Sequence, residues 1–256
     1  MRLPCPAYIV TGTSRGIGSA LAGLLLGRGE DVIGIARHAP ASGVMSEPRY
    51  SHLLLDLGAP IDADVLSPLW ERIESRRPVV MVLNAGSNVT DTLGTGLNLS
   101  AFADILMLNV VNQLRLAGLV QERLRPASLQ VTLISSYAAF KGGRANFGYL
   151  VSKTIAYELA RLQRLMQVPA GVRFQAMIFG AVATDMLKTS PSTSRIYSYA
   201  IGRLLHRFMT QTPGQAAVAL LRHLDSRRSF CFVPGYLAPV AYAMRWGREI
   251  RTALFG

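Results

Sequence analysis

The sequence predicts an α/β protein, a doubly wound parallel sheet of about seven strands with helices on both faces. Three observations carry this. Apolar runs of strand length recur along the chain without polar alternation, which is how strands covered on both faces read. Longer stretches of helical period lie between them. Half of the 256 residues are apolar and only 16% are charged, a composition that packs a core and excludes a disordered or fibrous chain. No Pro-, Gly- or Ser-rich stretch is long enough to be a linker, so a single domain over 1–256 is expected.

Taken in order, the first strand is 7–10, where Tyr8-Ile9-Val10 meets a Gly-rich turn. Leu21, Leu24 and Leu25 then form the stripe of a helix at about 17–28. Strands follow at 31–35, 51–55, 79–83, 129–135, 172–178 and 230–233. Helices fit between them at about 62–75, 100–125, 147–167 and 213–225. Sustained strand–helix alternation of this kind is a Rossmann-type arrangement. The least regular stretch, 180–210, follows the sixth strand, outside the carboxyl ends where open α/β sheets bind ligands.

The charge balance is 27 Lys+Arg against 15 Asp+Glu, a net +12. Of the basic residues 24 are Arg, scattered from Arg2 to Arg251 with no run longer than two, so no nucleic-acid partner is expected. Cys5 and Cys231, with His38, His52, His206 and His223, show no metal-ligand or redox spacing. No metal site and a reduced, cytoplasmic protein are expected. Uninterrupted apolar runs such as 79–83 and 216–221 fall far short of the roughly 18–20 residues of a membrane span. The N-terminus has no secretory pattern.

The first strand runs into Thr11-Gly12-Thr13-Ser14-Arg15-Gly16-Ile17-Gly18. Glycines at 12, 16 and 18 let the chain turn tightly, bring backbone close to a pyrophosphate and pack the helix on the strand. The helix N-terminus offers N–H groups and a positive dipole end to phosphate. A Gly-rich turn alone is only a turn, and the strand before and helix after make it a nucleotide site. The G-x-x-x-G-x-G spacing is followed by Asn84-Ala85-Gly86, Asn109, Ser136 and Tyr149-x-x-x-Lys153, with Ser136 thirteen positions before Tyr149. In that order, over roughly residues 7–186, these resemble the short-chain dehydrogenase/reductase family.

The resemblance implies an NAD(P)-dependent oxidoreductase acting on CH–OH or C=O groups. It implies that Tyr149 protonates the carbonyl oxygen, Ser136 orients it, Lys153 tunes Tyr149 and holds the nicotinamide ribose, and Asn109 positions a water behind Lys153. The residues support part of this unaided. Tyr149 and Lys153 share one helical face at i and i+4, and an ammonium beside a phenol favours its ionised form. Ser135 stays open as the alternative serine. For the cofactor the resemblance implies Gly12, Ser14, Arg15, Gly16, Ile17, Gly18, Arg37, Asp56, Asn84, Ala85, Gly86, Gly180 and Thr184, together with Tyr149 and Lys153.

Charge suggests which cofactor. The second strand ends Ile35-Ala36-Arg37, with no carboxylate to grip a ribose 2′-hydroxyl and repel a 2′-phosphate. Arg15 and Arg37 offer two guanidinium groups instead, so NADP (NADPH) is expected in preference to NAD. A solvated Arg37 is the bland alternative. Asp56 is either the family's adenine contact or a turn residue. After the sixth strand the family usually has Pro-Gly, whereas this chain reads Phe179-Gly180, which releases φ and restores a backbone donor.

A substrate lid is expected at about 187–209, where Ile196, Tyr197, Tyr199 and Phe208 suit a hydrophobic ketone or aldehyde, or simply pack the lid. Tyr137, Phe140 and Phe147 are expected to border the pocket. The atypical tail, 234–256, mixes aromatic and apolar residues with arginines. It reads as an interfacial helix making peripheral membrane contact, or as a terminal helix capping a partner or the pocket. Leu106, Leu114 and Val120, with Ile155, Leu159, Leu162 and Leu165, put apolar residues on more than one face of two helices and imply a homodimer. Bulky Tyr236, Leu237 and Tyr242 are expected to obstruct the family's further, tetrameric contact. The expected activity is an NADPH-dependent carbonyl reductase, reversible as an alcohol dehydrogenase on a small-molecule carbonyl or alcohol. The alternatives are a membrane-surface dehydrogenase of a lipophilic alcohol and a non-catalytic NADP-binding regulatory protein.

Overall fold

The computed structural model describes residues 6–74, 77–88, 92–93, 96–141, 146–163, 165, 168, 170–188, 210–226 and 228–255. Seven parallel strands form the central sheet: β1 (Ala7–Thr11), β2 (Asp31–Ala36), β3 (Tyr50–Leu54), β4 (Val79–Leu83), β5 (Leu129–Ser136), β6 (Val172–Phe179) and β7 (Phe230–Val233). Their spatial order is β3-β2-β1-β4-β5-β6-β7. The chain winds outward from β1 one way and then, from β4, the other way. The reversal opens a crevice at the carboxyl ends of β1 and β4, the place where such sheets bind ligands.

Alternation along β1 explains why both faces are covered. Ile9 points into one core with Ile33, Met81, Leu116 and Val131. Tyr8 and Val10 point into the other with Leu21, Leu25, Val82 and Leu220. The helices are α1 (Gly16–Gly27), α2 (Ser67–Arg72), α3 (Leu99–Leu106), α4 (Asn112–Leu124), α5 (Phe147–Leu162), α6 (Pro213–Leu224) and α7 (Leu237–Phe255). Thr212 caps α6 in a reciprocal box with Gln215, behind Pro213 at the first turn.

The predicted strands stand within a residue of those observed, and the helices differ more. The helix expected at 62–75 is a 3₁₀ turn, Asp64–Leu66, and the short α2, which stops because Ile73 is extended. The helix expected at 100–125 contains a π-helical turn, Met107–Val111, between α3 and α4. The helix expected at 147–167 closes at Leu162. Short helical turns at Ser42–Met45, Ala138–Lys141 and Asp185–Lys188 and a two-stranded pairing of Thr92–Leu93 with Gly96–Leu97 were not foreseen. The lid positions 189–209 lie outside the described residues.

Counting uninterrupted apolar runs understated one segment. Leu99–Leu124 is long and apolar enough to cross a membrane by length and composition. Leu116, Ala117, Val120 and Leu124 bury that helix against the sheet, which makes it a core helix. Val120 accordingly belongs to the chain's own core, not to an outward stripe. Leu106, Leu114, Ile155, Leu159 and Leu162 are half-buried, while Met107, Val111, Phe147 and Leu165 are exposed.

The tail is an integral element. Leu237 and Ala241 sink into a third apolar cluster with Phe140, Tyr157 and Phe232. Arg245 ties α7 to α5 through Glu158, reaches Glu249 at 2.9 Å, and lies over the Tyr157 ring. Leu237 therefore faces inward, contrary to the expectation that it would obstruct a neighbouring subunit. Tyr236, Val240, Tyr242, Trp246 and Ile250 remain exposed.

Candidate active site

One cleft of about 1480 Å³ runs across the carboxyl ends of β1, β2, β4, β5 and β6. Every predicted site residue lines it except Gly18 and Asn109, which stand just behind its wall. A β-carbon on Gly18 would come 2.3 Å from the Gly12 carbonyl oxygen, so α1 approaches the loop only because residue 18 is glycine. Gly12 has φ +73 and faces the Asn84 amide and the Ala85 backbone, leaving no space for a side chain.

Two residues that sequence reasoning missed join β1 to β4 here. The Thr11 hydroxyl accepts from the Asn84 and Ala85 N–H groups, both at 2.9 Å, and donates to Gln113 Oε1 at 2.7 Å. Gln113 Nε2 returns a bond to the Ala85 carbonyl at 2.7 Å, and Asn84 Nδ2 donates to the Thr11 carbonyl at 3.0 Å. A buried polar residue is retained when its partners are all in place. The partners come from three separate elements, and a single sequence carries no signal that joins them.

At the β5 end the two serines separate. Ser135 is buried and donates to the Lys153 carbonyl at 2.7 Å, fastening α5 to the strand. Ser136, whose Oγ accepts from the Ala138 N–H at 3.2 Å, lines the cleft and is the serine that acts on the Tyr149 phenol, which favours it over Ser135. Burial pushes the Tyr149 phenol up, with Ser136 pulling the other way. Lys153 is 6% exposed, its Nζ donates to the Ile134 carbonyl at 2.9 Å, and burial pushes it down to about 8. Its Nζ stands over the Tyr149 ring, 5.5 Å from the ring centre. The lowering expected from this ammonium does not set Tyr149: burial is the largest influence on the phenol and Ser136 is the group that opposes it.

Asn109 occupies the π turn, and its amide is fully used. Oδ1 accepts from the Ser87 N–H at 2.8 Å, while Nδ2 donates to the Ser87 carbonyl at 2.9 Å and to Ser152 Oγ at 3.0 Å. A β-carbon at Gly86 would meet Asn109 Oδ1 at 3.2 Å and Lys153 Nζ at 3.6 Å, so all three groups close on one point. Such π turns recur at functional sites because one extra residue per turn re-aims a side chain.

At the opposite end Arg15 and Arg37 are exposed, and each has a carboxylate neighbour. Arg15 bonds Asp185 at 3.1 Å, an ion pair across the mouth of the cleft that sequence reasoning missed. Arg37 stands 4.0 Å from Asp56. Asp56 Oδ1 also accepts from the Gly58 N–H at 2.8 Å, so Asp56 is at once a turn residue and a wall of the cleft.

Gly180 and Thr184 line the cleft beyond β6. Gly180 has a second reason to be glycine, because a β-carbon would come 2.9 Å from Leu237 Cδ1 of the tail helix. Tyr137 lines the cleft, and its hydroxyl donates to Met244 Sδ at 3.0 Å. Phe140 and Phe147 do not line it, contrary to expectation. Phe140 packs on Tyr157 and Phe232 beneath the tail, and Phe147 stacks outside on Phe102.

The glycine turn, the serine–tyrosine–lysine wall and the seven-stranded order occur here in one arrangement, and the family model for short chain dehydrogenases matches residues 6–195. The chain belongs to the short-chain dehydrogenase family. That makes it an oxidoreductase of the class acting on CH–OH and C=O groups. Protein FixR of Bradyrhizobium diazoefficiens is 30% identical over 212 residues, 77% of this chain and 74% of that protein. An uncharacterized short-chain type dehydrogenase/reductase, y4vI of Sinorhizobium fredii, is 26% identical over 225 residues; these are 85% of this chain but only 40% of that protein. The fold is shared with a Burkholderia cenocepacia short chain dehydrogenase crystallised with NADP, at 18% identity, TM-score 0.72 and full coverage of both chains. It is shared also with a Sphingobium yanoikuyae short-chain dehydrogenase in complex with NADPH, at 21% identity, TM-score 0.73 and coverage of 97% and 95%.

Proposed function

We propose that this dehydrogenase is an NADPH-dependent reductase of hydrophobic ketones or aldehydes, reversible as an alcohol dehydrogenase. The observation that carries the reading is Ser136, Tyr149 and buried Lys153 together at one end of a cleft whose other end holds the glycine turn and Arg37. The residues fit a dinucleotide: side chains are sterically excluded at Gly12 and Gly18, which leaves backbone N–H groups to hold a pyrophosphate. Arg15 and Arg37 would hold a 2′-phosphate, Asp56 the adenine, and Gly180 and Thr184 the carboxamide. Two structural neighbours were crystallised with NADP or NADPH, which supports the same class of cofactor.

Bound NADPH would supply the hydride. Ser136 holds the substrate oxygen and Tyr149 gives it a proton from a neutral phenol, the form that burial favours. Lys153 carries its charge below about pH 8 and steadies the ribose. Tyr137, Leu150, Met186 and Leu187 give this end of the cleft an apolar lining, which supports a hydrophobic substrate. The exposed Met107, Val111 and Phe147 support a homodimer through α3–α5, testable by light scattering.

Tyr149→Phe should still bind NADPH while turnover on a ketone and aldehyde panel falls by on the order of 10²–10⁴. Near-normal turnover in that variant overturns the proton-donor role. NADPH binding by the native chain without turnover of any carbonyl would instead favour a regulatory protein.

The tail helix supports a second reading, of where the enzyme works. Tyr236, just before α7, and Trp246, on it, are 55% and 70% exposed in a chain of net charge +12, which suits an anionic lipid surface. Co-sedimentation with anionic vesicles that is lost in Trp246→Glu would support it, and equal recovery in the supernatant would defeat it.

A further inference from the structure

Behind the glycine turn lies a set of contacts that the proposed chemistry does not use. Thr13 sits in the middle of that turn, fully buried, and the Tyr50 hydroxyl lies 3.1 Å from its Oγ1. Tyr50 opens β3, and β3 is not a neighbour of β1, because β2 runs between them. The tyrosine side chain must therefore cross the face of β2 to reach the turn. It crosses at Gly34, where a β-carbon would lie 2.0 Å from Tyr50 Oη and 2.6 Å from Thr13 Oγ1. Glycine inside a central strand is destabilising and needs a reason. Gly34 does not have a positive φ, so the reason is steric: it leaves a passage for this ring.

On its other side the hydroxyl meets His52 Nδ1 at 2.9 Å, and the two rings stack with centroids 6.0 Å apart. Tyr50 otherwise lies among Val32, Leu21 and Val10. Burial pushes the Tyr50 phenol up and keeps it a neutral donor. A hydroxyl with two polar partners in an apolar layer is fixed in direction, because turning away from either leaves a buried group unsatisfied.

We propose that Tyr50 is a positioning residue for dinucleotide binding. Its hydroxyl fixes Thr13, and with it the backbone N–H groups of residues 12–16, in the arrangement a pyrophosphate requires. Gly12 and Gly16 both adopt positive φ, and glycines at such positions are otherwise free to sample alternatives. Without the tie, the turn must be ordered when the nucleotide binds, at a cost in affinity. The inference rests on the cofactor reading above and adds a specific residue to it.

The test uses the full chain as Tyr50→Phe, Thr13→Val, the double variant and the conservative Thr13→Ser. Without nucleotide, hydrogen exchange at residues 12–16 should quicken in Tyr50→Phe and Thr13→Val and stay native in Thr13→Ser. In NADPH titrations each of the first two should bind roughly three- to tenfold more weakly, the size of one hydrogen bond. The double variant should be no weaker than either single one, because both remove the same contact. The kinetic effect should fall on KM for NADPH and not on kcat. Native exchange and affinity in Tyr50→Phe, or losses that multiply in the double variant, would overturn the proposal. A native chain that binds no dinucleotide, yet whose turn loosens in Tyr50→Phe, would defeat the cofactor reading and reduce the contact to a structural tie.

Discussion

The two ends of the cleft hold charge in opposite ways. At the catalytic end Lys153 is enclosed, bonded to the Ile134 carbonyl and pushed down to about 8, while Tyr149 beside it is pushed up. At the phosphate end the Arg15 and Arg37 side chains are 75% and 62% exposed and paired with carboxylates that are themselves about half exposed. Desolvation governs the first end, and water and salt govern the second. One end is built to set protonation states and the other to select a ligand by charge. Losing a group should therefore have different consequences at each.

The largest effect is expected at the buried end. Lys153→Met removes the charge behind the proton donor and should lower turnover by on the order of 10²–10⁴. It should also remove a pH dependence of stability. Folded Lys153 loses its proton near pH 8, whereas an unfolded lysine keeps it to about 10.4. The unfolded chain thus binds more protons between those values, and this residue's contribution to stability rises with pH across that window and is lost as pH falls through 8. Urea unfolding of both proteins at several pH values should show the native curve gaining relative to Lys153→Met over that range. Parallel curves would mean that burial does not govern this end.

A smaller effect is expected at the exposed end. Arg37→Asp removes a charge-assisted partner and adds a repulsive one, so NADPH affinity should fall roughly 10–100-fold. NADH affinity should hold or improve, since a carboxylate there can grip a 2′-hydroxyl. Equal losses for both nucleotides would place Arg37 away from the 2′-phosphate. The smallest effect belongs to Asp185→Asn. It breaks an exposed ion pair, so unfolding free energy should change by only about 0–1 kcal/mol. NADPH affinity should rise slightly at low salt, because Arg15 is freed. A large loss of stability would show that the pair behaves as a buried one.

The same contrast governs what the sequence made legible. The seven strands were readable because a parallel strand buried on both faces is a short apolar run, and 79–83, Val-Val-Met-Val-Leu, is one without exception. The cleft residues were readable because glycine spacing and the i, i+4 pair of Tyr149 and Lys153 are local. What escaped depends on contacts between distant segments. Asp185 reaches Arg15 across 170 positions, and Leu237 fills the space above Gly180. Thr11 finds Gln113 across 102 positions, and Tyr50 finds Thr13 across a strand lying between them. Phe140 was assigned to the pocket from its place near β5, but the tail helix supplies a core that absorbs it. The π turn at Asn109 has no sequence mark, because it needs only the geometry of the two helices it joins.

The division of labour between the two ends is tested most directly by measuring kcat and KM for NADPH as salt is raised from about 0.05 to about 0.5 M, which shortens the screening length several-fold. KM should climb steeply, since screened arginines select the cofactor, while kcat stays flat, since desolvation more than screened charge sets Tyr149 and Lys153. A kcat that falls with salt, or a KM for NADPH indifferent to it, would contradict that division.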